Sequence, residues 1–265
     1  MNEDPSHQAA RLLGDASRIV VFTGAGISAE SGVPTFRDDL TGMWARFDAH
    51  RLATPEAFHA DPDLVWGWYE WRRHRVRQAE PNPGHVAVAA IETRVPGTSV
   101  VTQNVDDLHE RAGTRSVVQL HGSLFAPRCV GPAAHPVRVE EPPAGAITDA
   151  PDRAEGRRIP PPRCADCGSL VRPGVVWFGE PLPEAAMTAA ADAAATCDVL
   201  LTVGTSGVVY PAAEIPRIAA RSGAAVIQVN PEPTPLDGIC TLSLRGTAAR
   251  ILPGLVTTAW PEASG

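Results

Sequence analysis

The sequence predicts an α/β protein: a doubly wound, Rossmann-like parallel sheet with a small zinc-ribbon-like module and a helical insertion. Three observations predict it. Short apolar runs rich in β-branched residues recur at 19–22, 99–102, 117–120, 175–178, 199–203, 225–229 and 240–244. Helical patterns separate many of them, at 84–94, 184–196 and 211–221, and strands alternating with helices indicate a parallel sheet covered on both faces. Several runs end in polar or glycine-rich loops, "TGAG", "TQNVDD", "HGS", "FGE", "VGTS" and "VNPE". The ligand crevice of a doubly wound sheet lies beyond the carboxyl ends of its strands, so these loops gather on one edge and form a large site.

Composition narrows the function. The 265 residues are 44% hydrophobic and 20% charged, enough for one large core and a smaller module. We divide this single domain, 1–265, into a core of 1–37, 81–123 and 174–265, an insertion at 38–80 and a small module at 124–173. The start "MNEDPSHQAARLL" has no basic or apolar stretch of a secretory signal, and no run is long enough to span a bilayer. Five cysteines, an odd number, fit a reducing cytoplasm. A net charge of −7 argues against nucleic acid, which needs a basic face, and mildly favours basic protein partners. All 23 basic residues are arginine, and lysine is absent; the abundance of Ala, Arg, Pro and Gly marks this as compositional bias.

The first strand run opens into "TGAGISA", where Gly24, Gly26 and Ala29 satisfy G-x-G-x-x-G/A. Such a turn sets bare backbone amides and a helix N-terminus against a pyrophosphate. A dehydrogenase would then supply a second strand with an acidic ribose anchor about 20 residues on. Here "SGVPTFRDDLTGMWARFDAH" contains no strand, which excludes that class. The insertion is helical and aromatic, with Trp44, Trp66, Trp68 and Trp71. Its segment "LVWGWYEWRRHRVRQ", 64–78, repeats Val65, Tyr69, Arg72 and Val76 at helical spacing. An arginine on an inward stripe needs an anionic partner, and Tyr69 shares its face. Arg73, Arg75 and Arg77 read mostly as a solvated face.

Later strand ends supply the remaining polar groups. Asn104 and Asp106 close one run and His121 the next. As isolated features they are capping and solvated residues. Beside a dinucleotide they form a general base with hydrogen-bonding partners for a ribose and a carboxamide. "VGTS", 203–206, offers amides to a phosphate, and "VNPE" places Asn230 and Glu232 beyond a strand, where Glu232 can accept from ribose hydroxyls. In the small module, Cys164-x-x-Cys167 is half of a zinc-ribbon site. The other half would be Cys129-x-x-Cys, but position 132 is proline. Three thiols remain, with His135 a candidate fourth ligand.

In order and spacing, "GAGISAESGVPTFR", "TQNVDDLH", "QLHGSLF", "VVWFGE", "GTSGVVYPA" and "NPE" resemble the sirtuins, NAD-dependent protein-lysine deacylases, over nearly the whole chain. The Tyr69-x-x-Arg72 pair and the small Ala53 are similar to the branch that removes succinyl, malonyl or glutaryl groups. The resemblance implies that Gly24, Ala25, Gly26 and Ser28 line the phosphates of NAD, with Phe36 and Arg37 in a loop beside the nicotinamide ribose. It implies that Gln103, Asn104 and Asp106 set the nicotinamide and its ribose, that Gly204, Thr205, Ser206, Asn230 and Glu232 hold the adenosine half, and that His121 is the general base. Ala248 stands where relatives add an adenine contact. Val176, Phe178 and Gly179 lie on one of two edges, the other being "GVVYPA", between which an acylated lysine peptide would add as a strand. Nicotinamide would leave, the acyl oxygen would attack the ribose, and free lysine and O-acyl-ADP-ribose would result.

Three departures stand out: the missing second zinc cysteine, the unusual "FRDDLTGMW", and alanine at position 248. Zinc on Cys129, Cys164 and Cys167 is therefore an incomplete set of thiolates. Two other functions compete with deacylation. Protein mono-ADP-ribosylation would use the same NAD site but has no need of a carboxylate clamp. A non-catalytic NAD-sensing module would have no need of His121, Asn104 and Asp106.

Overall fold

The computed structural model describes residues 4–33, 48–131, 135–139 and 158–261. Six parallel strands form the main sheet: β1 (Ile19–Thr23), β2 (Ser99–Thr102), β3 (Val117–Gln119), β6 (Val199–Val203), β7 (Ala225–Val229) and β8 (Leu242–Leu244). Their order, β3-β2-β1-β6-β7-β8, reverses direction between β1 and β6, where dinucleotides bind in folds of this class.

The sheet is buried on both faces because side chains alternate along each strand. Ile19, Val21, Leu201, Val203, Ile227 and Val229 pack with α1 (Pro5–Asp15), α6 (Pro83–Arg94) and α10 (Ala248–Ala259). Val20, Phe22, Leu200 and Val226 pack with α8 (Glu184–Thr196) and α9 (Glu214–Arg221). Helix starts follow local chemistry. Asn82 accepts from the Gly84 amide at α6, and Asp61 accepts from Leu64 at α5 (Pro62–Gln78), each with proline in the first turn.

A second core lies beside the sheet. β4 (Gly122–Cys129) and β5 (Val171–Val175) form a two-stranded antiparallel ribbon. Leu124, Val175 and Trp177 pack there against Tyr69, Trp68 and Val76 of α5, and against Phe58 of α4 (Pro55–Ala60). This arrangement corrects one expectation. The run at 175–178 is not a strand of the parallel sheet: β5 ends at Val175, and the chain turns so that the Val176 amide donates to the His121 carbonyl. The ribbon strand β4 lacks a period-2 pattern, carrying Pro127 and opening at Gly122 with φ +72°. Position 122 also demands glycine on space, since a Cβ there would stand 2.1 Å from the Gly174 carbonyl oxygen.

Candidate active site

The turns after β1 and β6 meet at the switch point. A Cβ on Gly26 would fall 2.7 Å from the Gly204 Cα, so only glycine lets the two backbones touch. The Gly24 amide bonds to the Val203 carbonyl, and the Gly26 amide to the Gly204 carbonyl. The helix that follows, α2 (Gly26–Ala29), has only four residues, shorter than a dehydrogenase turn would run.

These turns open into a cavity of about 760 Å³. Gly24, Ala25, Gly26, Ser28, Gln103, Asn104, Asp106, His121, Gly204, Thr205, Ser206, Asn230 and Glu232 all line it, as do Ala53, Tyr69, Arg72, Val176, Phe178 and Gly179. Ala248 does not; it is 4% exposed, at the start of α10 against Gly84. Phe36 and Arg37 lie outside the described residues.

At the strand ends, hydrogen bonds fix each polar group. The His121 Nδ1–H donates to the Gln103 carbonyl at 2.8 Å, which leaves Nε2 as a bare acceptor in the cavity. Burial lowers the His121 pKa against the opposing pull of that carbonyl, which favours a neutral ring, the form in which a histidine can accept a proton. Ser28 Oγ donates to Asp106 Oδ2 at 3.0 Å and accepts from Asn104 Nδ2 at 3.1 Å. Burial raises the Asp106 pKa, opposed by bonds from the Leu108 amide and Ser28. Gln103 Nε2 donates to Thr205 Oγ1 at 2.9 Å, and Asn230 Nδ2 to the Thr205 carbonyl at 3.3 Å. The amides of Gly24, Gly26 and Gly204 are spent on neighbouring carbonyls rather than bare as the turn pattern predicts; what fits a dinucleotide is the close glycine approach, the neutral hydrogen-bonding groups and the carboxylate of Glu232 lining one cavity.

The other wall comes from α5. Val65, Tyr69 and Val76 are 1%, 1% and 2% exposed, as the stripe predicts. The Arg72 guanidinium is buried over the rings of Trp68 and Tyr69, 5.1 and 5.5 Å from their centroids. Burial lowers its pKa while Tyr69 and Asp106 oppose the change. Tyr69 is pushed up to about 12, chiefly by burial, so its hydroxyl keeps its proton. Arg73 corrects the solvated-face reading: it is 4% exposed, paired with Glu70, and donates to the Leu124 carbonyl at 2.9 Å. The helix is covered on nearly every side, by α4 and by the ribbon strands β4 and β5, and Arg75 lines the cavity.

Sequence reasoning missed three groups. Trp177 is 3% exposed and donates its indole N–H to the Tyr69 oxygen at 3.0 Å. His85 and His109 are 0% and 1% exposed, with ring centroids 5.1 Å apart behind Ser28. His85 shares a helical face with Val88 and Ile91, and that periodicity was a signal available in the sequence. The peptide edge also carries a polarity the sequence did not reveal. The amides of Val176, Trp177, Phe178 and Glu180 bond internally, to the His121 carbonyl, Glu180 Oε2, the Ala53 carbonyl and the Trp177 carbonyl. These amides are therefore not available to an added strand. Opposite it, Val208, Val209 and Tyr210 are exposed.

In the small module the donor atoms of Cys129, His135 and Cys164 lie within 4.8 Å of one another. Cys167 Sγ stands 3.3 Å from Cys129 Sγ, and Cys164 Sγ 3.4 Å from His135 Nε2. A tetrahedral zinc with thiolates at about 2.3 Å and imidazole at about 2.0 Å sets its ligand atoms about 3.5–3.8 Å apart. His135 Nδ1–H donates to the Pro136 carbonyl at 3.0 Å, the outer bond that turns Nε2 towards a metal. Cys129, His135 and Cys164 fit three ligands of a zinc, with Cys167 beside Cys129 but outside that close group.

No helix among the described residues is long and apolar enough to cross a membrane. The chain is 57% identical over 251 residues to an NAD-dependent protein deacylase of Methylococcus capsulatus, covering 95% of this chain and 96% of that one. It is 57% identical to NAD-dependent protein deacylase 1 of Pseudomonas aeruginosa, covering 94% and 97%. A crystal structure of a Sir2 homolog–NAD complex superposes with a TM-score of 0.84 at 42% identity, covering 97% of this chain and 94% of the other. A Sir2 protein bound to a myristoylated histone peptide superposes at 0.73 with 36% identity, each chain covered to 97%. The Sir2 family profile matches residues 24–211, and with these relatives and this strand order the chain belongs to the Sir2 family.

Proposed function

We propose that this protein is an NAD-dependent protein-lysine deacylase that favours acidic acyl groups, succinyl, malonyl or glutaryl, over acetyl. The observation that carries the acyl preference is the buried Arg72 guanidinium beside the Tyr69 hydroxyl in the same cavity as His121. A guanidinium meets a carboxylate through two parallel charge-assisted bonds, and Ala53, small and 2% exposed, leaves room for a longer acyl chain. The names of the relatives support deacylation, and the histone-peptide complex supports an acylated peptide as the substrate class.

Bound NAD would supply the electrophilic ribose carbon that accepts the acyl oxygen. The chain's own residues do the rest. The turns at Gly24 and Gly204 hold the diphosphate, Asn230 and Glu232 the adenosine half, and Gln103, Asn104 and Asp106 the nicotinamide half. His121 Nε2 takes a ribose hydroxyl proton, and the bond from Nδ1 to Gln103 keeps the ring in the right tautomer. A zinc on Cys129, Cys164, Cys167 and His135 would tie the small module together without touching the reaction.

The test is purified protein with NAD and matched acetyl-, succinyl- and glutaryl-lysine peptides, read by mass spectrometry. Leaving a buried carboxylate without its partner costs about 3–5 kcal/mol. Arg72→Met should therefore lower kcat/KM for succinyl-lysine by on the order of 10² or more, while acetyl-lysine turnover holds or rises. An equal loss for both substrates would make Arg72 structural and overturn the acyl preference.

A further inference from the structure

Trp177 has no role in the site as assembled above, yet it touches the acyl pocket through one hydrogen bond. Its Nε1–H donates to the Tyr69 oxygen at 3.0 Å. Indole nitrogen is a donor only, so the Tyr69 oxygen must accept there and its proton cannot point back at Trp177. Arg72, also donor-only, faces the same oxygen. With the indole N–H on one lone pair and the donor-only guanidinium beside the ring, the group the hydroxyl has left to offer an incoming acceptor is its proton, and all three residues line the same cavity.

The indole is itself held firmly. The Arg172 guanidinium stacks on it with Cζ 3.3 Å from the ring centroid, and the Phe58 ring lies 5.4 Å away on centroids. Arg172 donates to Glu180 Oε2 at 2.9 Å and to the Val175 carbonyl at 3.0 Å. Glu180 Oε2 also accepts from the Trp177 amide at 2.8 Å. Ring and backbone are thus fixed by the same carboxylate and guanidinium.

We propose that Trp177 is a positioning residue for acyl specificity: its indole N–H locks the Tyr69 hydroxyl as a donor towards an anionic acyl tip. This rests on the carboxylate-clamp reading of Tyr69 and Arg72. An acetyl group presents no acceptor to that proton and gains nothing from its direction. A free hydroxyl, by contrast, rotates and presents a lone pair to the carboxylate part of the time.

The test replaces Trp177 with 3-benzothienylalanine, which keeps the bicyclic shape and substitutes sulfur for N–H, alongside W177F. Both are made in the parent and in the Tyr69→Phe background. Values of kcat and KM are measured with succinyl- and acetyl-lysine peptides of one sequence, and folding is checked by thermal melting. The succinyl-to-acetyl ratio of kcat/KM should fall about three- to tenfold in the parent, as for one hydrogen bond, mainly through KM of the succinyl peptide. In the Tyr69→Phe background, where the hydroxyl is gone, the same change should leave the ratio where it was. An equal fall in both backgrounds would reduce Trp177 to pocket shape and overturn the proposal, as would an unchanged ratio in the parent. Arg72→Met run in parallel separates the two failures: if it also leaves the ratio unchanged, the clamp reading itself falls. A measurement on the unsubstituted protein does not depend on any variant folding. Donation by the Tyr69 proton strengthens its oxygen as an acceptor, so the Trp177 indole proton resonance should move downfield with succinyl peptide and not with acetyl peptide. Identical responses to the two peptides would overturn the proposal.

Discussion

The histidine pair behind the site makes the fold sensitive to mild acid. His109 Nε2–H donates to Thr23 Oγ1 at 3.0 Å, because that hydroxyl spends its own proton on Thr102 Oγ1. His85 Nε2 faces Ser28 Oγ at 3.4 Å, whose proton goes to Asp106. Each ring thus carries its proton on Nε2, and each Nδ1 is buried without a hydrogen-bond partner among the described residues. Protonation would place a charged N–H on those atoms, and burial pushes His85 down to about 4 and His109 down to about 3, the latter aided by repulsion from its neighbour. Unfolded histidine titrates near 6.5. Between about pH 6.5 and 4 the unfolded chain therefore binds protons that the folded one refuses, and stability rises with pH across that window. The contribution is complete above 6.5 and drains as pH falls. At pH 5 each histidine has lost about 1.5 pH units of linkage, or about 2 kcal/mol. Together the pair removes about 4 kcal/mol from a fold whose whole stability is of order 5–15 kcal/mol. Urea unfolding between pH 7.5 and 5.0 measures this directly. His109→Gln, whose amide can still donate to Thr23, should flatten the pH dependence by about 2 kcal/mol relative to wild type. A slope unchanged by that substitution would refute the reasoning, since other titrating groups are common to both proteins.

Further outcomes follow from the same geometry. His121→Ala should cost about 10² to 10⁴ in turnover with NAD binding largely kept; near-normal turnover would remove His121 as the base. The acid limb of kcat/KM in the wild type should fall below pH 6.5, the side to which burial moves His121; a limb above 6.5 would contradict the neutral-ring assignment. The purified chain should carry about one zinc, and His135→Ala should lower zinc retention and make melting more sensitive to chelator. A cobalt-substituted protein should show the spectrum of three thiolates and one imidazole; absence of metal with chelator-insensitive melting would sink the site. Because the chain has no lysine, succinyl-CoA should leave activity unchanged after removal. Inactivation with internal amide-linked acylation would refute that.

The parallel sheet was legible because its strands are uniformly apolar and bounded by glycine turns. β6 and β7 start and end where the runs do, and α8 matches its alanine-rich pattern to the residue. The ribbon was not legible. β4 carries Pro127 and a bulge between Ser123 and Arg128, and its pairing with β5 spans an insertion whose length hides the partner. The buried fate of Arg73 was invisible for a different reason. Helical spacing reports one inward face, whereas Arg73 turns towards the ribbon strand β4, where a Glu70 partner plus the Leu124 carbonyl make burial of a guanidinium tolerable. His135 was visible only as a candidate, since residue counting cannot bring position 135 to position 164; the 3.4 Å contact can.

On the proposed reading, the residues for catalysis and for acyl choice rest on different cores. Leu120, one residue before His121, is buried with Phe22 and Leu200 in the core of the parallel sheet. Tyr69 packs instead with Trp68, Val175 and Trp177 in the core between α5 and the ribbon. Polar links between them run through Asp106, which attracts Arg72 while holding Ser28, and through Trp177, whose indole holds Tyr69 while the neighbouring Val176 amide donates to the His121 carbonyl. On the proposed reading, a substitution on α5 that keeps the Tyr69–Trp177 bond should reshape the acyl pocket while leaving in place the Gln103 carbonyl that holds His121 Nδ1, because Gln103 follows β2 of the sheet. A substitution at Asp106 acts on both at once: it removes a negative charge that supports Arg72 and the acceptor of the Ser28 proton. If the proposed roles hold, acyl preference can diverge within one chemistry by exchange of side chains on α5, and Asp106 is the position where the two roles should not separate.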